Sequence, residues 1–136
     1  TDLVRITEVS LRDGLQNEPA PVPTVRKAAL ARLLADTGVD EIELSSFVSP
    51  KWIPQLGDAA DLFLSLAPEA HDWPLLSALV PNEKGMQAAL DVNARAGWPI
   101  VGKVAVFTAA SETFAQRNTN ASIAETLERF KPVIAR

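Results

Sequence analysis

The chain has 136 residues, of which 47% are hydrophobic and 22% are charged, and its formal net charge is −4. This length and balance predict one domain over residues 1–136 with enough apolar surface to fold, and they exclude an intrinsically disordered chain. The negative charge argues against a nucleic-acid partner, which requires a basic surface, and no apolar run approaches the roughly 20 residues of a membrane span.

The chain carries few kinds of reactive side chain. It has no Cys and no Tyr, and His71 is its only histidine. Disulfide scaffolds, Cys nucleophiles and Cys/His zinc sites are therefore excluded within these residues, and the lack of Cys fits a cytoplasmic protein. We expect any chemistry to use carboxylates, Arg, Lys, amides and hydroxyls together with a hard metal ion. His71 itself is interpreted as an ordinary surface residue.

Short β-rich runs alternate with longer runs of helical period along the chain. Strands are predicted at residues 3–11, 39–44, 75–80 and 100–107. Helices are predicted at residues 24–36, 58–67, 83–96 and from residue 123 onward, with a loop at residues 108–120. Predicted N-terminal caps are Thr24, Asn82, and the S-x-x-E box of Ser122 and Glu125. The predicted buried face of the first helix consists of Val25, Ala29, Leu30, Leu33 and Leu34.

The order of these elements is four consecutive β-α units, which predicts an α/β fold with a parallel sheet and right-handed crossovers. Two architectures fit this order: a small open sheet complete in itself, and the first half of a (β/α)₈ barrel of roughly 250 residues. The pattern alone slightly favours the open sheet. The chain starts at Thr1, and an amphipathic pattern still runs at its end, so we expect it to be part of a longer polypeptide.

In both architectures, functional residues collect at the carboxyl ends of the strands. The first strand ends in LRDGLQNE, residues 11–18. Arg12 and Asp13 are adjacent, so on an extended strand we expect their side chains to point to opposite sides. Asp13 can ligate a hard metal ion such as Mg²⁺, and Arg12 can bind a carboxylate or a developing enolate oxygen. A purely structural Arg–Asp pair beside the turn residue Gly14 is the alternative interpretation.

The second and fourth strands offer further candidates. Glu43 lies near the end of the second strand, where it either faces the site or is a solvent-facing carboxylate. The loop at residues 45–58 is apolar and rich in proline, which is typical of a pocket wall or of a local packing cluster. Arg117 and Asn118, after the fourth strand, either meet a phosphate-bearing ligand or cap the next helix.

Two motifs carry a resemblance to a known family. The sequences LRDGLQNE at residues 11–18 and SFVSPKWIPQ at residues 46–55 resemble the hydroxymethylglutaryl-CoA lyases, as do VPN at 80–82 and AASE at 109–112. This family belongs to a superfamily of metal-dependent lyases and Claisen-condensing enzymes built on (β/α)₈ barrels. The RDG turn alone is shared with isopropylmalate and homocitrate synthases, whereas the longer motifs are much more specific for the lyases. The resemblance therefore implies the first four β-α units of a TIM-type barrel.

The resemblance also implies roles for individual residues. Asp13 matches the aspartate that ligates the divalent metal, Mg²⁺ or Mn²⁺, and Arg12 matches the arginine that stabilises the enolate oxygen of the thioester product. Gln16 matches a glutamine close to the substrate and metal, and Glu43 matches an acidic residue near the metal. Arg117 and Asn118 match a loop near the coenzyme A entry. The implied partner is an acyl-CoA thioester, bound by a homo-oligomer.

The implied reaction is the retro-Claisen cleavage of 3-hydroxy-3-methylglutaryl-CoA to acetyl-CoA and acetoacetate, as in leucine degradation and ketone-body formation. The family also supplies a His-x-His metal pair, an Asn ligand and a Cys-bearing loop from the second half of the barrel, and residues 1–136 contain none of them. We therefore expect the chain alone to be inactive, and to self-associate or misfold because of open strand edges and an uncovered apolar lumen. The alternatives are a Claisen-type synthase and a non-catalytic half barrel that serves as an assembly module.

Overall fold

The structure, a computed structural model, describes residues 2–135 and contains a four-stranded parallel sheet. The strands lie in the order β1-β2-β3-β4, so each crossover places the next strand directly beside the previous one. Their bounds are Thr7–Glu8 for β1, Glu41–Ser46 for β2, Leu75–Leu79 for β3 and Lys103–Ala105 for β4. The predicted parallel α/β sheet is confirmed, and its sequential order is that of four consecutive units of a (β/α)₈ barrel.

In the part of the chain that the structure describes, five α-helices accompany the sheet: α1 at Thr24–Ala35, α2 at Ala59–Leu66, α3 at Glu83–Ala96, α4 at Glu112–Thr119 and α5 at Ile123–Ile134. The Asn82 side chain accepts a hydrogen bond from the backbone N–H of Gly85 at 3.0 Å, which confirms the predicted cap of α3. The predicted capping box of α5 is also present. Within residues 2–135, no helix is long and apolar enough to cross a lipid bilayer.

The two faces of the sheet differ in polarity. Ile42 and Leu76 belong to the hydrophobic core, together with buried apolar residues of α1, α2 and α3. Because the side chains of paired strands alternate, the strand register places four polar residues on the opposite face. These residues, Glu41, Glu43, Ser77 and Lys103, form what we call the polar face. The expectation of an apolar lumen is therefore wrong at these four positions, although Leu75 and Leu79 of β3 share the face with them.

The edge strands are shorter than predicted. The strand predicted at residues 3–11 pairs only over Thr7–Glu8, and the one predicted at 100–107 pairs only over Lys103–Ala105. Each edge strand has one neighbour, so much of its backbone has no ladder partner within residues 2–135. Leu3 and Val4, which precede β1, are 94% and 82% exposed. The predicted self-association through open edges stays a prediction, and these exposed residues support it.

The predicted buried face of α1 is confirmed at Leu30 and Leu34, which pack against the core, and is wrong at Val25, Ala29 and Leu33. Val25 and Leu33 are exposed, whereas Lys27, Ala28 and Ala31 are buried. The predicted cap at Thr24 is also wrong, since Pro23 takes the capping position and Thr24 begins the helix. Both errors have one cause. The first turn of α1 makes polar contacts with a distant loop, and these contacts orient the helix with a lysine on its inner side.

Candidate functional site

The segment that follows β1 is a π-helical turn at Ser10–Gly14. The carbonyl oxygen of Val9 accepts hydrogen bonds from the backbone N–H of Arg12 at 3.2 Å and of Asp13 at 2.7 Å. Glu8 accepts from the N–H of Ser10 at 2.6 Å, and hydrogen bonding by Ser10 holds the pKa of Glu8 below its ordinary value. These bonds tie the turn to the end of β1. Wide helical turns of this kind occur frequently at functional sites.

Arg12 and Asp13 do not point to opposite sides, as an extended strand would have placed them. In the turn, Nη1 of Arg12 donates to Oδ1 of Asp13 at 2.9 Å. The Nε of Arg12 donates to Oε1 of Glu43 on β2, so one guanidinium joins two carboxylates from different β-α units. The side chains of Arg12 and Glu43 are 18% and 10% exposed, whereas that of Asp13 is 59% exposed.

This Arg12–Asp13–Glu43 group has one positive and two negative charges, so its formal net charge is −1. Arg12 is held from two directions, which limits its side-chain motion and prepares its remaining N–H groups for an incoming oxygen. Asp13 presents a carboxylate to solvent beside it. The arrangement can therefore hold a cation at Asp13 and an anionic oxygen at Arg12.

The other residues predicted near this turn are placed less closely. Gln16 is half-buried, and within residues 2–135 its side chain makes no hydrogen bond to Arg12, Asp13 or Glu43. Its neighbour Asn17 contributes more, because its amide Nδ2 donates to the backbone oxygen of Asp13 at 2.8 Å. The position of Asn17 four residues after Asp13, past a turn glycine, was the available signal for this contact.

Arg117 and Asn118 lie on α4, where the sequence predicted a loop. Ser111 caps this helix by accepting from the N–H of Phe114, and Asn120 ends it in a left-handed conformation at φ 49°. The amide of Asn118 donates to the backbone oxygen of Phe114 at 2.9 Å within the same helix. Arg117 is exposed. Neither residue is hydrogen-bonded to the Arg12 turn, so a contact with substrate at these positions stays a prediction.

The polar face adds an ion pair that the sequence analysis missed. Nζ of Lys103 on β4 donates to Oε2 of Glu41 on β2 at 2.7 Å. Burial raises the pKa of Glu41, but hydrogen bonding by Lys103, Ser77 and Thr7, together with the charge of Lys103, outweighs it, so this pKa lies below its ordinary value of 4.5. In a (β/α)₈ barrel, alternate strands contribute side chains to the same interior layer. Glu41 on β2 and Lys103 on β4 fit this rule, because β3 lies between their strands. A lysine inside an apolar strand run was the signal for it.

Comparison with protein-family models matches residues 3–136 to the family described as HMGL-like. The chain belongs to the HMGL-like family. It is 47% identical over 131 residues to 3-hydroxy-3-isohexenylglutaryl-CoA/hydroxy-methylglutaryl-CoA lyase of Pseudomonas aeruginosa, a match that covers 96% of this chain and 41% of that enzyme. It is also 44% identical over 133 residues to the mitochondrial hydroxymethylglutaryl-CoA lyase of Gallus gallus, covering 96% of this chain and 41% of the relative.

Solved structures agree with this assignment. The HMG-CoA lyase of Brucella melitensis superposes with a TM-score of 0.86 at 44% identity, covering 99% of this chain and 44% of that one. An HMG-CoA lyase of Acinetobacter baumannii, solved with coenzyme A and 3-methylmalate, superposes with a TM-score of 0.84 at 34% identity, covering 98% of this chain and 41% of that one. The HMGL-like chain thus spans about two fifths of the length of these relatives.

The donor set of the HMGL-like chain fits one side of a divalent-metal site. Asp13 presents an exposed carboxylate in a group whose net charge is negative, and hard cations prefer such oxygen ligands. Among the described residues, no group of three or more His, Cys, Asp or Glu side chains could hold a metal ion. The residues present therefore fit a partial site, in which Asp13 would be the ligand and Arg12 and Glu43 would orient it.

The Lys103–Glu41 pair leads to a prediction about stability and pH. The replacement Lys103→Met leaves the Glu41 carboxylate buried without its cation, and we expect a loss of about 1–3 kcal/mol in the free energy of unfolding at pH 7. Because the pKa of Glu41 is lowered on folding, its stabilising contribution exists above the unfolded-state pKa of about 4.5 and is lost as the pH falls through the folded-state pKa. The difference between parent and variant should therefore shrink in acid.

Urea unfolding at several pH values measures this difference in a chimera, in which residues 3–136 replace the matching segment of the Pseudomonas aeruginosa relative. The matched control is Lys131→Met, which breaks an exposed pair with Glu128 and should change the free energy of unfolding by less than about 0.5 kcal/mol. Equal losses in the two variants, or a Lys103→Met loss that does not depend on pH, would contradict the prediction.

Proposed function

We propose that this chain supplies the Arg12 and Asp13 part of the active site in a lyase that cleaves 3-hydroxy-3-methylglutaryl-CoA to acetyl-CoA and acetoacetate. The observation that carries the proposal is the guanidinium of Arg12, which is held between Asp13 of the β1 turn and Glu43 of β2. The names of the relatives support the substrate class, and a solved relative with bound coenzyme A supports a thioester ligand.

In the proposed reaction, a base removes the proton of the tertiary hydroxyl, and the oxygen forms the ketone of acetoacetate as the adjacent C–C bond breaks. The electron pair of that bond moves into the acetyl-CoA fragment, where negative charge collects on the thioester oxygen. Arg12 donates N–H groups to this oxygen, and proton transfer to the carbon completes acetyl-CoA. Because Glu43 and Asp13 already hold the guanidinium, little reorganisation is needed when the charge develops.

Asp13 is the proposed ligand of a divalent cation, Mg²⁺ or Mn²⁺, whose remaining ligands lie outside this chain. When bound there, such an ion would supply Lewis-acid chemistry that makes a substrate hydroxyl easier to deprotonate, and Asp13 would hold it beside Arg12. Glu43 holds Arg12 in place. Gln16 follows Arg12 by four residues, and we propose that its side chain contacts the substrate. Arg117 and Asn118 are proposed to meet coenzyme A, since an exposed guanidinium binds phosphate well.

Two alternatives remain for the HMGL-like chain. A Claisen-type synthase would share the Arg12 turn and differ in its product, and an assembly module would show no turnover in any complete barrel. The relatives favour the lyase. A homo-oligomer and a cytoplasmic location remain proposals, since the relatives include a cytoplasmic enzyme of Rattus norvegicus as well as mitochondrial ones. The lyase reaction would place the protein in leucine degradation and ketone-body formation.

A chimera tests the function. Residues 3–136 replace the matching segment of the Pseudomonas aeruginosa relative, with which they share 47% identity. We expect this chimera to release acetoacetate from the thioester in a reaction that requires Mg²⁺ or Mn²⁺. A chimera that folds like the parent relative, as judged by circular dichroism and thermal unfolding, and yet shows no cleavage would contradict the proposed function.

A further inference from the structure

A buried lysine of α1 holds the loop that follows β2. Lys27 is only 1% exposed, although an ammonium group is rarely buried without a partner. Its Nζ donates to the backbone oxygen of Gln55 and to Oδ1 of Asp58, both at 2.5 Å. The hydroxyl of Thr24 donates to the other oxygen of Asp58 at 2.6 Å. The first turn of α1 is therefore joined to residues 55 and 58 by three polar contacts.

Asp58 gives up an ordinary local role to make these contacts. It occupies the N-cap position of α2, where an aspartate usually accepts a hydrogen bond from the backbone of its own helix. Its side chain makes no such bond, because both oxygens are engaged by Lys27 and Thr24. The Asp58 side chain therefore connects α1 to the loop instead of capping α2.

The same loop also contacts the segment that carries Asp13. Nε2 of Gln55 donates to the backbone oxygen of Glu18 at 2.8 Å. Asn17, the residue before Glu18, donates through its side-chain Nδ2 to the backbone oxygen of Asp13 at 2.8 Å. A path of hydrogen bonds and one covalent step therefore runs from Lys27 through Gln55 to the turn with Arg12 and Asp13.

We propose that Lys27 is a positioning residue for this turn. Lys27 fixes the loop at Gln55 and Asp58. Through Gln55, it holds the segment after Asp13 in a fixed position relative to Glu43 on β2. None of these side chains touches the reacting atoms in the proposed reaction, and the inference rests on the proposed function of Arg12 and Asp13. Removal of such supporting contacts typically lowers activity or metal affinity by about 10–100-fold.

Two variants of the chimera test the path at different points. Lys27→Met removes the buried cation, and Gln55→Leu removes only the side-chain bond to Glu18, so it leaves the buried ion pair intact. We expect kcat to fall about tenfold or more in both, with KM for the thioester changed much less. The matched control is Arg32→Met, at a residue that lies on α1 as Lys27 does. This change breaks an exposed ion pair with Glu69 and should leave kcat unchanged.

Hydrogen exchange gives a second readout that does not depend on activity. We expect faster deuterium uptake at residues 12–18 in Lys27→Met and Gln55→Leu, with unchanged uptake at residues 83–96 in Gln55→Leu and in Arg32→Met. A lower melting temperature with parental kcat and parental uptake at residues 12–18 would overturn the inference. If the folded parent chimera is inactive, the proposed function fails, and uptake at residues 12–18 still decides whether Lys27 and Gln55 hold the turn.

Discussion

In the chimera, Arg12→Gln is expected to lower kcat by about 10²–10³-fold, the usual cost of removing one donor that stabilises a developing oxyanion. The glutamine amide retains polarity at this position and removes the positive charge that meets the thioester oxygen. KM for the thioester should change only a few-fold, because the lost interaction forms mainly in the transition state. Steady-state kinetics at saturating metal measures both constants.

The same variant should still bind the divalent metal, because the proposed ligand Asp13 is retained. Titration with Mn²⁺ checks this separation between charge stabilisation and metal binding. The matched control is Arg26→Gln, an exposed arginine on α1, which should show parental kcat. Near-parental cleavage by Arg12→Gln, with correct folding, would refute the role proposed for this residue.

The second large effect is expected from Asp13→Ala, which removes the proposed metal ligand of the chain. The apparent affinity for Mn²⁺ should fall by more than the roughly 10–100-fold that follows loss of a supporting residue, because a direct ligand is lost. The carboxylate of Asp13 is 59% exposed, so its loss leaves no large cavity and the fold should persist. Calorimetric titration of the chimera with Mn²⁺ measures the change.

Asp36→Ala is the control for this experiment, since Asp36 is an exposed carboxylate at the end of α1. It should bind Mn²⁺ as the parent does. If Asp13→Ala also binds the metal with parental affinity, Asp13 is not a ligand, and its role would be limited to holding Arg12.

The cap at Asn82 and the capping box of α5 could be predicted from the sequence because each depends on neighbours within a few residues. Alternating β-rich and helical runs determine the β-α order, and the order restricts the sheet to a few topologies. The pairing of Arg12 with Glu43 required a bond between residues 31 positions apart, so the sequence could identify the two residues without showing their contact.

The errors lie where tertiary contacts override local preference. Lys27 is a polar residue in the pattern of α1, and it is buried because Asp58 and Gln55 meet its ammonium group. The helix α4 was predicted as a loop because its sequence is polar, although Ser111 and Asn120 carry capping signals at its two ends. Local patterns do not contain the distant partners that decide such cases.

The central claim concerns the bond that breaks, and product analysis of the chimera tests it most directly. The purified chimera is incubated with 3-hydroxy-3-methylglutaryl-CoA and Mg²⁺, and acetyl-CoA and acetoacetate are measured in the same samples over time. The proposed chemistry predicts the two products in equal amounts, at a rate that Arg12→Gln reduces at least about 100-fold. Failure of the folded chimera to form acetoacetate, or consumption of acetyl-CoA without cleavage, would contradict it.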